Sequence, residues 1–192
     1  LSAKLKKTDQ VSCVFLGDGA VEEGVFYESL NYSALKNLPV LYICENNLFS
    51  VYSPLSVRQP EGRSITKMVE NIGVTSEHVE SQDVLLIYQK LKEKIEATRN
   101  QGPQFIEFST YRWREHCGPN YDNDIGYRSE IDFNKWKDRD PIDLIKNKLT
   151  DNKIIDKIHH DIDKEIMEAF AFAEASPFPD QKEAYKGVFS SE

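Results

Sequence analysis

Two short polar segments carry side chains that could bind a metal ion and an anion together. Gly17-Asp18-Gly19-Ala20 follows one apolar, β-forming run, and Glu45-Asn46-Asn47 follows a second. Carboxylate and amide oxygens are ligands that Mg²⁺ prefers, and Mg²⁺ often takes its other ligands from phosphate and water. We predict that the glycines permit a tight turn and a close ligand approach. Either segment alone is more often a turn or a loop cap, but together they indicate a site for a metal and a diphosphate.

A third segment adds positive charge and a titratable ring. Residues 110–117 contain Arg112, Arg114 and His116. Guanidinium groups bind phosphate oxygens through charge-assisted contacts, and histidine can act as an acid or a base near neutral pH. We therefore predict anion contacts and an acid–base group here. The other histidines lack this context and are predicted surface residues: His78, His159 and His160.

Hydrophobic patterns predict the elements that position these segments. Residues 11–16 and 40–45 are predicted buried strands, and residues 21–36 between them have helical spacing. Such a unit implies parallel strands with a right-handed connection, whose ligands lie off the carboxyl ends of the strands. Asp18 and Asn47, 29 residues apart, are therefore expected to converge. The helix after Asp18 would add free N–H groups and the positive end of its dipole.

The remainder of the chain is predicted to complete this layered architecture. Residues 84–99 have helical spacing and residues 105–110 form a third predicted strand. Residues 111–130 form a long polar and aromatic loop, and loops of that length are usually functional or disordered. Within it, Trp113 and Tyr121 are predicted to pack against other side chains rather than to stack on a ligand.

The predicted fold class is therefore α/β, a parallel sheet flanked by helices, with a helical C-terminal tail. We predict a binding domain over residues 1–130 and a helical extension over residues 131–192 that packs on the same domain. A partner groove is the alternative for the apolar stripe of the last long helix. That stripe consists of Ile155, Ile158, Ile162, Ile166, Ala169 and Ala173.

Composition excludes several function classes. Twenty-four basic against 32 acidic residues give a net charge of −8, which argues against a nucleic-acid binder. The longest apolar stretch, residues 38–44, is far shorter than the about 20 residues of a membrane span. No signal peptide is recognised, and we expect the chain to be part of a longer polypeptide. Cys13 and Cys44 are predicted buried, and the sparse cysteines favour a reducing compartment, the cytoplasm or a mitochondrial matrix.

Taken together, these segments resemble a known family, the alpha subunit of the thiamine diphosphate-dependent, decarboxylating component of 2-oxo-acid dehydrogenase complexes. Pyruvate and acetoin dehydrogenases are the types it resembles most. The resemblance covers nearly the whole chain. It is carried by residues 17–20, Glu23-Gly24, Phe26, Glu28, Asn31, Ala34, residues 38–40, residues 45–47, Gly102-Pro103, Glu107, residues 110–112, Tyr127-Arg128 and residues 140–142.

The resemblance implies roles for particular residues. Magnesium would be held by Asp18, Asn47 and the backbone carbonyl of Phe49. The diphosphate of the cofactor would be lined by Gly17, Gly19 and Ala20, with a phosphate contact from Arg112. His116 matches the catalytic histidine of the family's active-site loop.

The resemblance also implies partners. In this family the cofactor lies between an alpha chain and a beta chain of an alpha-two beta-two assembly, and the beta chain supplies the activating glutamate. This sequence offers no candidate for that glutamate, so we expect no activity without a beta subunit. The expected reaction decarboxylates or cleaves a ketone substrate and passes the acyl unit to a lipoyl-type acceptor. A lipoyl-bearing acyltransferase is therefore an expected partner.

Departures from the family pattern leave alternatives open. The family draws further diphosphate contacts from upstream sequence that is not matched here. Arg114 stands where the family usually has a first loop histidine, and Cys117 replaces a regulatory phosphoserine, so kinase control there is not expected. Residues 118–121 also differ, which favours an unusual donor or acceptor. The alternatives are a transketolase-like transferase with the same cofactor and a non-catalytic scaffold subunit.

Overall fold

The computed structural model describes residues 1–188 and divides the chain into two compact units, Leu1–Ile145 and Lys146–Glu192. The first unit contains a parallel sheet of four strands, β1 (Ser12–Gly17), β2 (Val40–Asn46), β5 (Thr75–Val79) and β6 (Gln104–Ser109). Their order in the sheet is β1-β2-β6-β5. A two-stranded antiparallel ribbon follows β2 and consists of β3 (Phe49–Ser50) and β4 (Ser53–Pro54).

Helices connect and cover these strands. The helices of the first unit are α1 (Ser2–Lys6), α2 (Gly24–Lys36), α3 (Leu55–Arg58), α4 (Ile65–Ile72), α5 (Val84–Gln101), α6 (Glu130–Lys137) and α7 (Pro141–Lys146), of which the last residue begins the second unit. Short 3-10 turns occur at Asp18–Glu22 and Asn123–Ile125. The predicted α/β class with a parallel sheet flanked by helices is confirmed.

The second unit consists of the long helix α8 (Asn152–Ala175) followed by a 3-10 turn (Gln181–Tyr185). Asp151 caps α8, because its carboxylate accepts a hydrogen bond from the Lys153 N–H at 2.9 Å. The domain limits at residues 130 and 131, and the packing of the tail on the first domain, stay predictions.

Both faces of the sheet are covered, which the alternation along β2 explains. Successive strand side chains point to opposite faces. Tyr42 and Cys44 face a core that includes Leu30 of α2, whereas Leu41 and Ile43 face a second core with Ile87, Leu91 and Ile95 of α5. A strand buried on both faces reads as a continuous apolar run, as residues 40–44 do.

Two expectations about burial and one boundary were wrong. The strand β1, at one edge of the described sheet, is mostly exposed, so Cys13 is exposed while Cys44 is buried. The helix predicted over residues 21–36 begins only at Gly24, after the 3-10 turn. The edge strand β5 was not predicted, and α6 was predicted only as part of the helical extension over residues 131–192.

Candidate functional site

A cavity of about 410 Å³ opens at the carboxyl edge of the sheet. The parallel register explains its position: Gly17 of β1 is paired with Glu45 of β2, and Glu45 with Phe108 of β6. The three loops that leave these strands therefore start at the same height and meet above the edge. The structure brings all eight predicted site residues to this cavity, together with Glu23, Ser50 and Val51: Gly17, Asp18, Gly19, Ala20, Asn47, Phe49, Arg112 and His116. Their individual roles stay predictions.

Asp18 begins the 3-10 turn after β1 and is 1% exposed. A carboxylate so far from water needs a partner. That partner is Arg58 of α3, whose guanidinium forms an ion pair with Asp18 Oδ2 and a second with Glu22 at 2.5 Å. No sequence signal pointed to Arg58, since it lies 40 residues from Asp18 with no shared motif.

The backbone after β2 is bent by two asparagine side chains. Asn46 Oδ1 accepts a hydrogen bond from the Leu48 N–H at 3.0 Å, and Asn47 Oδ1 accepts one from the Phe49 N–H at 2.9 Å. Asn46 also donates from Nδ2 to the buried carboxylate of Glu107 at 2.7 Å. Such bonds are typical of Asx turns, which redirect a chain locally. Glu107 thus fixes the loop that presents Asn47. In the sequence, only the family resemblance singled out this residue.

The pKa of the Cys44 thiol is changed by its burial and by carboxylates near the site. Burial raises the pKa of the Cys44 thiol above its ordinary value, and the carboxylates of Glu107, Asp18 and Glu45 raise it further. Cys44 is therefore a neutral packing residue and is not a nucleophile near neutral pH.

The two glycines of the first loop act through space rather than through turn geometry. Neither Gly17 nor Gly19 has a positive φ, so the backbone conformation at these positions does not itself require glycine. A Cβ on Gly19 would lie 2.8 Å from Ser50 Oγ, closer than real Cβ contacts. A Cβ on Gly17 would meet no atom within 4 Å, so the surface above its backbone is open to the cavity.

The long helix that was expected to start directly after the Gly17-Asp18-Gly19 segment starts later in the structure. The residue after Gly17 enters a 3-10 turn of five residues, and α2 starts six residues after Asp18. The dipole of α2 therefore does not begin at the Gly17-Asp18-Gly19 segment, as the sequence had suggested. Glu23, the residue before α2, lies in the cavity wall.

Arg112 and His116 contact each other in the third loop. The guanidinium NH1 group lies 3.2 Å from His116 Nδ1. Because a guanidinium only donates, Nδ1 is the acceptor in this contact. Arg112 also donates to the Val51 carbonyl at 3.2 Å, and Val51 has a φ of 55°, a strained value for a β-branched residue. Arg112 thus joins the second and third loops.

A buried carboxylate anchors the third loop from within. Asp122 is 1% exposed, forms an ion pair with Arg128, and accepts a 2.6 Å hydrogen bond from the Tyr127 hydroxyl. Burial by itself raises the pKa of Asp122. The hydrogen bonds from Tyr127 and Arg128, with the charges of Arg128 and Arg112, outweigh burial and place this pKa below its usual value. Arg112 also donates to the Tyr127 hydroxyl at 3.0 Å, so the anchor extends to the cavity wall.

Aromatic rings cover the outer side of the same loop. Trp113 lies 5.8 Å from Phe133 of α6, and Tyr121 lies 5.9 Å from the same ring, in edge-to-face contacts. Both rings therefore pack against Phe133, and Tyr121 stays half exposed. Arg114 lies over the Tyr121 ring at 3.9 Å and donates to the Pro119 carbonyl at 2.9 Å. Arg114 thus helps to hold the loop together.

The donors at the cavity suit a hard cation shared with another ligand. Residues 1–188 contain no group of three or more His, Cys, Asp or Glu side chains that could hold a metal ion. One carboxylate, one amide oxygen and a backbone carbonyl are an incomplete set, which Mg²⁺ commonly completes with phosphate and water. Over the same residues, no helix is both long and apolar enough to cross a bilayer.

The fold and site define an α/β protein with a polar, metal- and anion-compatible cavity at the carboxyl edge of a parallel sheet. Residues 1–182 match the family described as Dehydrogenase E1 component. The chain belongs to this family.

The chain is also similar to individual members of this family, which are alpha subunits. The chain is 34% identical over 192 residues to the alpha subunit of the pyruvate dehydrogenase E1 component of Rickettsia felis, covering 97% of this chain and 58% of the relative. It is 34% identical over 188 residues to the chloroplastic alpha-3 subunit of the pyruvate dehydrogenase E1 component of Arabidopsis thaliana, covering 95% of this chain and 43% of the relative. It is 34% identical over 197 residues to the alpha subunit of acetoin:2,6-dichlorophenolindophenol oxidoreductase of Bacillus subtilis, covering 100% and 58%. The chain thus spans roughly half the length of these relatives.

Proposed function

We propose that this chain forms the metal- and diphosphate-binding part of the alpha subunit of a thiamine diphosphate-dependent 2-oxo-acid dehydrogenase. The observation that carries the proposal is the convergence of Asp18, Asn47, Arg112 and His116, from three strand ends, on one cavity. Membership of the Dehydrogenase E1 component family and similarity to pyruvate and acetoin enzymes support it. These relatives favour a dehydrogenase-type reaction over a transketolase-like one.

The residues present fit magnesium and a diphosphate. Arg58 takes Oδ2 of Asp18, which leaves Oδ1 for a metal. Asn47 Oδ1 accepts one N–H and keeps a second lone pair, and the Phe49 carbonyl lies in the same bend. The open surface above Gly17 gives a diphosphate access to the backbone. Asp18, Asn47 and Phe49 would therefore hold Mg²⁺, and residues 17–20 with Arg112 would hold the diphosphate.

The cofactor would supply carbanion chemistry at the substrate carbonyl. The residues of this chain bind, orient and move protons around it. Arg112 fixes the ring of His116 through Nδ1, so Nε2 is the ring nitrogen available to exchange a proton with a reacting oxygen. The contacts of Trp113 and Tyr121 with Phe133 support the third loop from its outer side.

The proposed assembly needs a beta subunit. We infer that such a subunit closes the cavity and supplies the activating glutamate, for which this chain shows no candidate. A lipoyl group on an acyltransferase is the proposed acyl acceptor. The names of the relatives, which are alpha subunits, support the first inference.

Cofactor affinity tests the proposal. The protein as its gene encodes it, purified with its beta partner, would be titrated with thiamine diphosphate at fixed Mg²⁺ by calorimetry. Asp18→Asn removes one charge-assisted contact worth about 1.5–3 kcal/mol, so the Kd should rise about 10- to 150-fold. Asp9→Asn, an exposed acid at the other end of β1, is the matched control and should leave the Kd unchanged. Equal affinity in the Asp18 variant, or no binding to the unmodified protein, would contradict the proposal and favour a scaffold subunit.

A further inference from the structure

Arg58 lies between two carboxylates at the edge of the proposed metal site. Its guanidinium pairs with Asp18 through one terminal nitrogen and with Glu22 at 2.5 Å through the other, while Nε donates to the Ser53 carbonyl at 3.1 Å. The Arg58 side chain is 10% exposed and that of Asp18 is 2% exposed. A guanidinium therefore occupies the position of a counter-ion for a carboxylate that is also a proposed metal ligand.

We propose that Arg58 competes with the divalent cation for Asp18. The inference rests on the proposed function, because it takes Asp18 as a metal ligand. Without a metal, Arg58 neutralises a carboxylate that would otherwise be buried and unpaired, which is costly. A divalent cation on Asp18 Oδ1 would place two positive groups on one carboxylate, and their repulsion would weaken the pairing of the guanidinium with Oδ2.

Glu22 gives the displaced guanidinium a second partner. Its side chain is 27% exposed, much more than that of Asp18, so the pair with Glu22 can move with little loss of burial. Gln59 donates to the same Glu22 carboxylate at 3.1 Å and keeps it in place. The Nε contact to Ser53 holds the arm of Arg58 at α3. Arg58 can therefore release Asp18 without leaving the site or becoming unpaired.

This arrangement makes metal binding depend on the diphosphate. The guanidinium and the two carboxylates sum to a single negative charge, a weak attraction for a divalent cation alone. A bound diphosphate adds negative charge and oxygen ligands, which offset the guanidinium. The competition thus favours loading of the metal together with the diphosphate and disfavours the metal alone.

Metal titrations of the complex with its beta partner test the proposal. Mn²⁺ binding would be followed by electron paramagnetic resonance, with and without thiamine diphosphate. Arg58→Gln removes the charge and should tighten Mn²⁺ binding without cofactor about tenfold or more. Arg58→Lys keeps the charge and should stay near the unmodified protein. Arg63→Gln, an exposed arginine five residues further on, is the matched control and should change nothing.

Thermal unfolding gives a second measurement that does not depend on the titration. In a chelator, Arg58→Gln should lower the unfolding temperature, since Asp18 is then buried without a counter-ion. Adding Mg²⁺ without the cofactor should raise the unfolding temperature of Arg58→Gln by more than it raises that of the unmodified protein. Equal or weaker Mn²⁺ binding by Arg58→Gln would overturn the competition and leave Arg58 a structural support. If the unmodified protein binds no Mn²⁺ even with the cofactor, the proposed function itself fails.

Discussion

Replacing Asp122 by asparagine should destabilise the protein by about 3 kcal/mol at pH 7. The Asp122 side chain is fully buried and that of its partner Arg128 is 3% exposed. Breaking a buried pair by removing one charge typically costs about 3–5 kcal/mol, because the other charge remains buried. Asparagine keeps an oxygen that can accept the Tyr127 hydroxyl. We therefore expect the lower end of that range.

The two tryptophans of the chain provide the assay. Trp113 and Trp136 both contact Tyr111, at 5.2 and 5.8 Å between ring centroids, beside the loop that Asp122 anchors. Urea unfolding followed by tryptophan fluorescence should show a midpoint about 1–3 M lower for Asp122→Asn, given urea slopes of about 1–3 kcal/mol per molar. The exposed neighbour Asp124 is the matched control, and Asp124→Asn should change stability by less than about 0.5 kcal/mol.

The pH dependence gives the prediction a second test. The pKa of Asp122 is lower in the folded protein than its usual value, so its contribution is present above the unfolded pKa of about 3.9. It is lost as the pH falls through the lower folded pKa. The stability difference between the unmodified protein and Asp122→Asn should thus be full at pH 5–7 and shrink below about pH 4. A difference under 1 kcal/mol at pH 7, or one that persists unchanged in acid, would refute the reasoning.

Two further predictions concern the cavity and its surroundings. Gly19→Ala should weaken thiamine diphosphate binding, because the new Cβ would meet Ser50 Oγ at 2.8 Å. Adding Ser50→Gly removes that contact and should restore binding in the double variant. Calorimetry measures both affinities, and a double variant that still binds weakly would disprove the steric cause. Cys44, whose burial raises its thiol pKa, should resist a thiol reagent at pH 7.5 until the protein unfolds, whereas the exposed Cys117 should react at once. Mass spectrometry of labelled peptides distinguishes the two, and early labelling of Cys44 would show that its environment is wrongly described.

The sheet edge that carries the site was predictable because its signals are local. Each polar segment of the site directly follows, in the sequence, the apolar run of its own strand, β1 or β2. Parallel pairing then dictates that the ends of neighbouring strands meet. The convergence of Asp18 and Asn47 on one cavity follows from these two facts alone.

Other elements have weaker local signals. The strand β5 is Thr75-Ser-Glu-His-Val79, of which only Val79 is buried, so it lacks the apolar run of a central strand. The exposure of β1 in the described residues is not visible in its sequence, which is an apolar run like that of a buried strand. The start of α6 did have a signal, since Ser129 accepts a hydrogen bond from the Asp132 N–H at 3.0 Å, and serine three residues before an acid marks a helix start.

The charged partners of the site were beyond sequence reasoning for a different reason. Arg58 and Asp122 are identified by what they touch, and those contacts join residues 40 and 6 positions apart without a repeating pattern. Glu107 lies on β6 and reaches Asn46 across the sheet, which only the strand order reveals. Sequence patterns therefore gave the donors that face the cavity, and the structure was needed for the residues that hold those donors.

The most direct test of the central claim is a diffraction experiment on the complex with its beta partner, loaded with thiamine diphosphate and Mn²⁺. Anomalous scattering locates the metal independently of any assumed ligand. We expect one peak at coordination distance, about 2.1 Å, from Asp18 and Asn47 oxygens, with the diphosphate beside residues 17–20. A metal and diphosphate bound elsewhere, with Asp18 still held only by Arg58, would contradict the account.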